Sequence, residues 1–239
     1  MSWKLVRHKA VDSTNDEAKA LIAEGAPPWT VIVAEKQVAG KGRHGRSWAS
    51  PRGGLYLSVI LPQEMDRLPL LSMAASLAVA EALDAWGLPV AVKWPNDVQV
   101  GGAKVAGILV EGLVRPEGYW AVVGIGINSD VAKERLPRRM DSPVTTLRHE
   151  LGKAVDNEGL LSRLLAAFQA NVDVLENASA IAQAYRGRCV TLGTDVVVET
   201  GKGTIQGKAV TIRESGTLVV RVPTGDEVEI ADGTVRGPP

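Results

Sequence analysis

The sequence predicts an α/β (α+β) unit built on a mixed sheet, followed by a small all-β unit. Three observations lead there. Short β-branched runs alternate with helical stretches through the first three quarters of the chain. One of those stretches, "LPLLSMAASLAVAEALDAWG" (68–87), is apolar almost all round, as a helix packed into a core must be. From Arg188 onward the pattern changes to about five short strands separated by glycine turns, enough for a small barrel. The expected units are therefore 1–186 and 187–239.

Taken in order, "DSTNDEAKALIAEG" opens with capping residues, offers Thr14 and Glu17 as a capping box, and stops at Gly25, so a helix of roughly three turns is expected. "TVIVAE" (30–35) and "LYLSVILP" (55–62) read as buried strands joined by a basic, glycine-rich loop. After the apolar helix, "PVAVKWPNDVQVGGAKVAGILVEG" reads as a strand, a turn at Pro95-Asn96-Asp97, and two strands paired across Gly101-Gly102. "GYWAVVGIGINS" (118–129) is a further strand. Its Gly124 and Gly126 fall on one face and leave it without side chains, open to close approach by backbone or ligand. Helical periodicity returns from about Asn157 to Arg186.

Composition narrows the possible functions. With 239 residues, 45% of them hydrophobic, the chain can bury a full core. Lys+Arg and Asp+Glu both total 27, so no global field draws it to nucleic acid or an anionic membrane. The longest uncharged run, Leu68 to Ala80, is too short to span a bilayer, and the N-terminus has no apolar signal core, which gives a cytoplasmic expectation. Cys189, the single cysteine, excludes an internal disulfide framework and a cysteine-based metal cluster.

Positive charge is concentrated locally. No acidic residue lies between Glu35 and Glu64, where "AGKGRHGRSWASP" (39–51) sets Lys41, Arg43, His44 and Arg46 among Gly40, Gly42 and Gly45. The spacing matches G-x-G-x-x-G, but Pro51, Gly53 and Gly54 follow instead of a helix, which removes a Rossmann site, and no P-loop motif exists. A solvated basic turn leaves Trp48 beside the arginines without a purpose. A loop that closes over a polyanion has one: glycines let N–H groups turn inward, and guanidinium forks hold carboxylate or phosphate. Nucleic-acid binding would call for more than the 4% aromatic content found.

Six segments, "DSTND" (12–16), "QVAGKGRHGRSW" (37–48), "GGLYLSV" (53–59), "KWPNDV" (93–98), "KVAGILVE" (104–111) and "VVGIGIN" (122–128), together resemble biotin protein ligase in order and spacing. The resemblance is close over about residues 8 to 130. It implies a catalytic domain like those of class II aminoacyl-tRNA synthetases, with a mixed sheet, followed by an SH3-like β-barrel. It also implies a two-step reaction. Biotin and ATP give biotinyl-5'-AMP and pyrophosphate, and a lysine of a biotin carboxyl carrier protein domain then takes the biotinyl group.

In the first step a carboxylate must approach a phosphate, and at ~4 Å two unit charges repel by roughly 4 kcal/mol at an effective dielectric of ~20. The resemblance assigns Arg43 and Lys104 to that region as the catalytic cations, with Mg²⁺ on the phosphates. For the biotin ring and tail it implies Ser13, Thr14, Gln37, Gly40, Lys41, Gly107, Gly124 and Gly126. For ATP and the adenylate it implies His44, Arg46, Trp48 and Asn128 beside the two cations. Ser13 and Thr14 can cap the helix as well, and the rival reading of Trp48 is ordinary core. Asp97, with Asn96, either orients Lys104, helps hold Mg²⁺ through water, or pins the turn.

Lysine at 41 and histidine at 44, where several relatives carry arginine, keep the cationic character but lose forked contacts. The DSTN helix begins so early that no N-terminal DNA-binding domain is expected, and a homodimer is. The rival enzyme is a lipoate or octanoate ligase or transferase on a related scaffold; some of these use a cysteine nucleophile, but Cys189 lies far in sequence from the motifs.

Overall fold

A computed structural model describes residues 3–137 and 143–236. The strands are β1 (Lys4–His8), β2 (Thr30–Ala34), β3 (Leu55–Pro62), β4 (Val90–Lys93), β5 (Asp97–Val100), β6 (Ala103–Arg115) and β7 (Gly118–Ile127), then β8 (Asp195–Thr200), β9 (Gly203–Ile212), β10 (Leu218–Arg221), β11 (Glu227–Ile230) and β12 (Thr234–Arg236). The α-helices are α1 (Thr14–Ala23), α2 (Leu68–Asp84), α3 (Leu147–Leu151), α4 (Asn157–Asp173) and α5 (Ala178–Arg188).

The first seven strands form one sheet in the order β1-β2-β3-β7-β6-β5-β4, and the last five form a second in the order β11-β10-β9-β8-β12. In the larger sheet only β1 and β2 run parallel; every other pair is antiparallel. The sheet is thus mixed, as expected. At the β5–β6 hairpin Gly101 and Gly102 take φ +57° and +81°, the left-handed pair that a tight two-residue turn demands and that a side chain would strain.

Helix α2 explains the apolar run. Leu71, Leu77 and Leu83 are wholly buried, because one side of the helix packs on the sheet and the other against α4 and α5. Each such leucine contributes about 1.5–3 kcal/mol by leaving water. The same apolar cluster continues from α2 and α5 into Val196, Ile212 and Ile230 of the second sheet. Polar ties reinforce that junction: Trp94 Nε1 donates to Gly216 O at 2.9 Å, and Arg186 Nη1 to Ile212 O at 2.7 Å.

Two local expectations change. The capping box at Thr14 and Glu17 does not form: Ser13 is the N-cap residue with no side-chain cap, and Thr14 is the first helical residue. The Thr14 N–H instead donates to Gln37 Oε1 at 2.8 Å, so a distant carboxamide does the work of a cap, while Glu17 sits 3.5 Å from His8. Strand β1 and helix α3 were not foreseen, although α3 has a capping threonine, Thr146, and a left-handed glycine, Gly152, at its ends. Both are five residues long, and β1, with basic residues at 4, 7 and 8, forms an exposed sheet edge.

Candidate active site

One pocket gathers the basic loop, the N-terminus of α1, the turn before β5, the glycine-bearing faces of β6 and β7, and the β11–β12 turn. Ser13, Thr14, Gln37, Lys41, Arg43, His44, Arg46, Trp48, Asn96, Asp97, Lys104, Gly107, Gly124, Gly126 and Asn128 all line it. Gly40 does not. It is buried behind the wall, where a Cβ would meet Trp48 O at 2.5 Å and Ser50 Oγ at 2.7 Å, so its part is to let the loop close on itself.

At one end the groups are neutral and hydrogen-bonded. Gln37 Oε1 accepts from Thr14 N, lies 3.1 Å from Thr14 Oγ1, and leaves Gln37 Nε2 to donate to Ser50 Oγ at 2.8 Å. At the other end the groups are charged. Lys104 Nζ is 2.5 Å from Asp97 Oδ1, and the lysine side chain is only 18% exposed. Neighbouring Asn96 accepts from Arg43 Nη1 at 3.3 Å and donates to Ile108 O at 2.6 Å. Asp97 therefore orients Lys104, and Asn96 ties the turn to both β6 and the loop.

The indole of Trp48 stands beside the charged end, over the glycines of β6 and β7. It lies with its ring centroid 5.1 Å from Lys104 Nζ, a cation–π distance. A Cβ on Gly126 would strike Trp48 Nε1 at 2.5 Å and one on Gly107 would meet Trp48 Cζ3 at 3.1 Å. The glycines expected along one part of a ligand and the tryptophan expected along another thus share a single contact. Gly124 is different: its bare face is filled by Asn15, whose Oδ1 would be 2.2 Å from a Cβ there. Trp48 Nε1 and Asn128 Oδ1 are buried, line the pocket and have no hydrogen-bond partner within the protein, one a donor and the other an acceptor.

The loop, residues 39–48, folds as a short 3₁₀ turn at Arg43–Gly45 and is held at both sides. Lys41 Nζ pairs with Asp16 Oδ1 at 2.6 Å, which raises the lysine pKa. Arg43 pairs with Asp232 and donates to Gly233 O at 3.4 Å, and Arg46 Nη2 donates to Thr234 Oγ1 at 2.6 Å. Burial lowers the Arg43 pKa, with Asp97 pulling the other way. His44 Nε2 lies 3.6 Å from Asp232, yet its pKa is pushed down, first by burial and then by Arg43 and Arg46. The aspartate is already committed to Arg43, so burial, reinforced by the two arginines, prevails.

Sequence reasoning missed Asn15, Ser50, Ser58, Glu111 and the Asp232–Thr234 turn. Asn15, Ser58 and Glu111 stand inside the quoted segments "DSTND", "GGLYLSV" and "KVAGILVE", so a signal existed. The turn at 232–234 had none, because only packing of the second sheet brings it to the loop.

A sequence profile described as the Biotin/lipoate A/B protein ligase family matches residues 8–128. The biotin–[acetyl-CoA-carboxylase] ligase of Paracoccus denitrificans is 37% identical over 227 residues, covering 91% of this chain and 94% of its own. The enzyme of that name from Mycobacterium tuberculosis is 37% identical over 235 residues, 93% of this chain and 85% of its own. A biotin protein ligase from Aquifex aeolicus, solved in complex with biotin and ATP, superposes with a TM-score of 0.86 at 32% identity, covering 98% of this chain and 99% of its own. A pocket lined by five of those six segments, on a chain matched by such relatives over nearly all its length, leads to one conclusion: the chain belongs to the biotin/lipoate A/B protein ligase family.

Proposed function

We infer that the chain is a biotin protein ligase, activating biotin with ATP and passing it to a lysine of a carboxylase's biotin carboxyl carrier protein domain. The observation that carries this is the meeting, in one pocket, of a neutral hydrogen-bonding end at Thr14 and Gln37 with a cationic end at Lys104 and Arg43. The first suits a compact urea and the second the joining of a carboxylate to a phosphate. The Aquifex structure with both biotin and ATP supports the reading.

In the first step a carboxylate oxygen of biotin attacks the α-phosphorus. A C–O–P anhydride forms, the bond to the β-phosphate oxygen breaks, and pyrophosphate leaves with the electron pair. Lys104 and Arg43 offset the like-charge repulsion and stabilise the charge that grows on the phosphoryl oxygens. No general base is needed, because a carboxylate is already a nucleophile. In the second step the carrier amine attacks the biotinyl carbonyl carbon, a C–N bond forms, the C–O bond to AMP breaks with AMP taking the electron pair, and the proton lost by the amine passes to water. Asn128 Oδ1, buried and unpartnered within the protein, is suited to accept from the exocyclic amine of adenine, and the Trp48 ring to cover the base.

Mg²⁺ belongs to the same proposal. Among the described residues no three His, Cys, Asp or Glu side chains gather into a cage, and one Asp97 oxygen is held by Lys104. This donor set fits an ion carried in by the phosphates, with Asp97 reaching it through water. Bound there, Mg²⁺ would neutralise phosphate charge. We further propose a homodimer in the cytoplasm with no affinity for duplex DNA; light scattering at twice the 25.3 kDa chain mass would support the first point.

The test is incubation of the protein with ATP, Mg²⁺, labelled biotin and a carrier domain. Label on the carrier lysine and biotin-dependent pyrophosphate exchange are expected. Neither appearing, or lipoate replacing biotin in a thermal-shift titration, would sink the reading.

A further inference from the structure

Behind the pocket wall, on β6, Glu111 anchors a row of side chains that ends at the pocket. Its Oε1 accepts from Lys19 Nζ at 2.6 Å and its Oε2 from Asn15 Nδ2 at 2.7 Å; Asn15 Nδ2 also reaches Leu109 O at 3.3 Å. A carboxylate and a carbonyl only accept, so the amide nitrogen must face them. That leaves Asn15 Oδ1 toward Ser58 Oγ, 2.6 Å away. Ser58 Oγ is 2.8 Å from Thr14 Oγ1, which is 3.1 Å from Gln37 Oε1. The far end is equally fixed. Thr14 N and Ser50 Oγ hold the Gln37 amide so that its carbonyl faces the row.

The row is short of a proton. Both its ends, Asn15 Oδ1 and Gln37 Oε1, are acceptors, and each hydroxyl between them carries one hydrogen. Three oxygen–oxygen contacts therefore share two protons. The Ser58 proton belongs to Asn15, since Asn15 Oδ1 has none to give. The Thr14 proton goes to Gln37 Oε1 at 3.1 Å, and with the Ser58 proton on Asn15 the 2.8 Å contact between Ser58 and Thr14 is left without one, so Thr14 Oγ1 keeps lone pairs to spare. Thr14 and Gln37 line the pocket, so lone pairs are in excess at the wall, which therefore presents acceptors to a ligand's hydrogen-bond donors.

We propose that Glu111 is a positioning and specificity-determining residue: by fixing the Asn15 amide it sets the polarity of the Ser58–Thr14 row, so that the neutral end of the pocket selects a head group bearing N–H donors. A cyclic urea meets that demand, whereas a dithiolane ring has no N–H to offer. The proposal rests on the biotin reading above and deepens it. Glu111 touches neither reactant; it acts through Asn15 and Ser58.

Calorimetric titration of the full chain with biotin, with biotin methylated on a ureido nitrogen, and with ATP tests it. In Glu111→Ala the Asn15 amide is free to turn. The biotin Kd should rise at least about tenfold, the ATP Kd should stay within about twofold, and discrimination against the methylated analogue should shrink. Glu111→Gln, whose carbonyl still accepts from Asn15, should bring biotin binding back to within about threefold of wild type. Ser58→Ala breaks the row with Glu111 in place, should lose the same discrimination, and decides the matter if Glu111→Ala fails to fold. Equal weakening toward biotin and its methylated analogue, or an unchanged biotin Kd in both alanine variants, overturns the proposal. A wild-type chain that binds no biotin overturns the ligase reading itself.

Discussion

The ammonium of Lys104 sits 2.5 Å from the carboxylate of Asp97, on the strand paired with its own, and 5.1 Å from the centre of the Trp48 ring. Strands β5 and β6 slip by one residue between Val98 and Gln99, so that Asp97 pairs with Gly107 while Gln99 pairs with Lys104. A flexible side chain is thereby held in one place by a charge and a ring. Lys104→Ala should lower biotin-dependent pyrophosphate exchange by about a hundredfold, and Asp97→Ala by about tenfold. Near wild-type exchange in Lys104→Ala would remove its assigned role.

Gly126 tests whether the floor under Trp48 matters. An added methyl would stand 2.5 Å from Trp48 Nε1, and an indole clamped between Lys104 and two glycines has no easy retreat. Gly126→Ala should raise the ATP KM at least about tenfold and shift the tryptophan emission, with the melting temperature little changed. Unaltered kinetics together with an unaltered spectrum would show that the contact is incidental.

Cys189 bears on the rival cysteine chemistry. It is 8% exposed and does not line the pocket, and burial raises its thiol pKa. A buried, protonated thiol is a poor nucleophile. Cys189→Ser should keep biotinylation within about twofold of wild type, and the native thiol should react with a disulfide reagent only on unfolding. Loss of activity in that variant would reopen a cysteine mechanism.

His44 gives the loop a pH dependence. Its folded-state pKa lies below the usual value of about 6.5, so the unfolded chain takes up the proton first and stability is lost as pH falls from ~6.5 through the folded value. The imidazole is 44% exposed, so the effect is small and is best read as a difference between two chains. Urea unfolding from about pH 7.5 to about 5.5 should cost wild type more stability than His44→Asn. An equal loss in both would assign the acid sensitivity elsewhere.

Much of the fold was legible because its signals are local. The apolar all-round pattern of residues 68–84 marks a buried helix whatever surrounds it, and the Gly101-Gly102 pair specifies its own turn. Strand β1 was illegible for the converse reason. An edge strand gains its identity from the partner, β2, and its own sequence, "KLVRH", carries no period strong enough to declare it.

The site divides in the same way. The residue types of the pocket were legible along the chain: glycines at 107 and 126 that leave room for a ligand's tail, cations at 43 and 104, and a carboxamide at 37. How they are held follows from packing between distant segments. Gln37 caps α1 from 23 positions away, Asp232 reaches Arg43 from the second sheet, and Glu111 anchors Asn15 across the fold. Those partners are far apart in the chain and are joined by hydrogen bonds and ion pairs. Such bonds depend on atomic distance, which no periodicity or spacing along a sequence encodes.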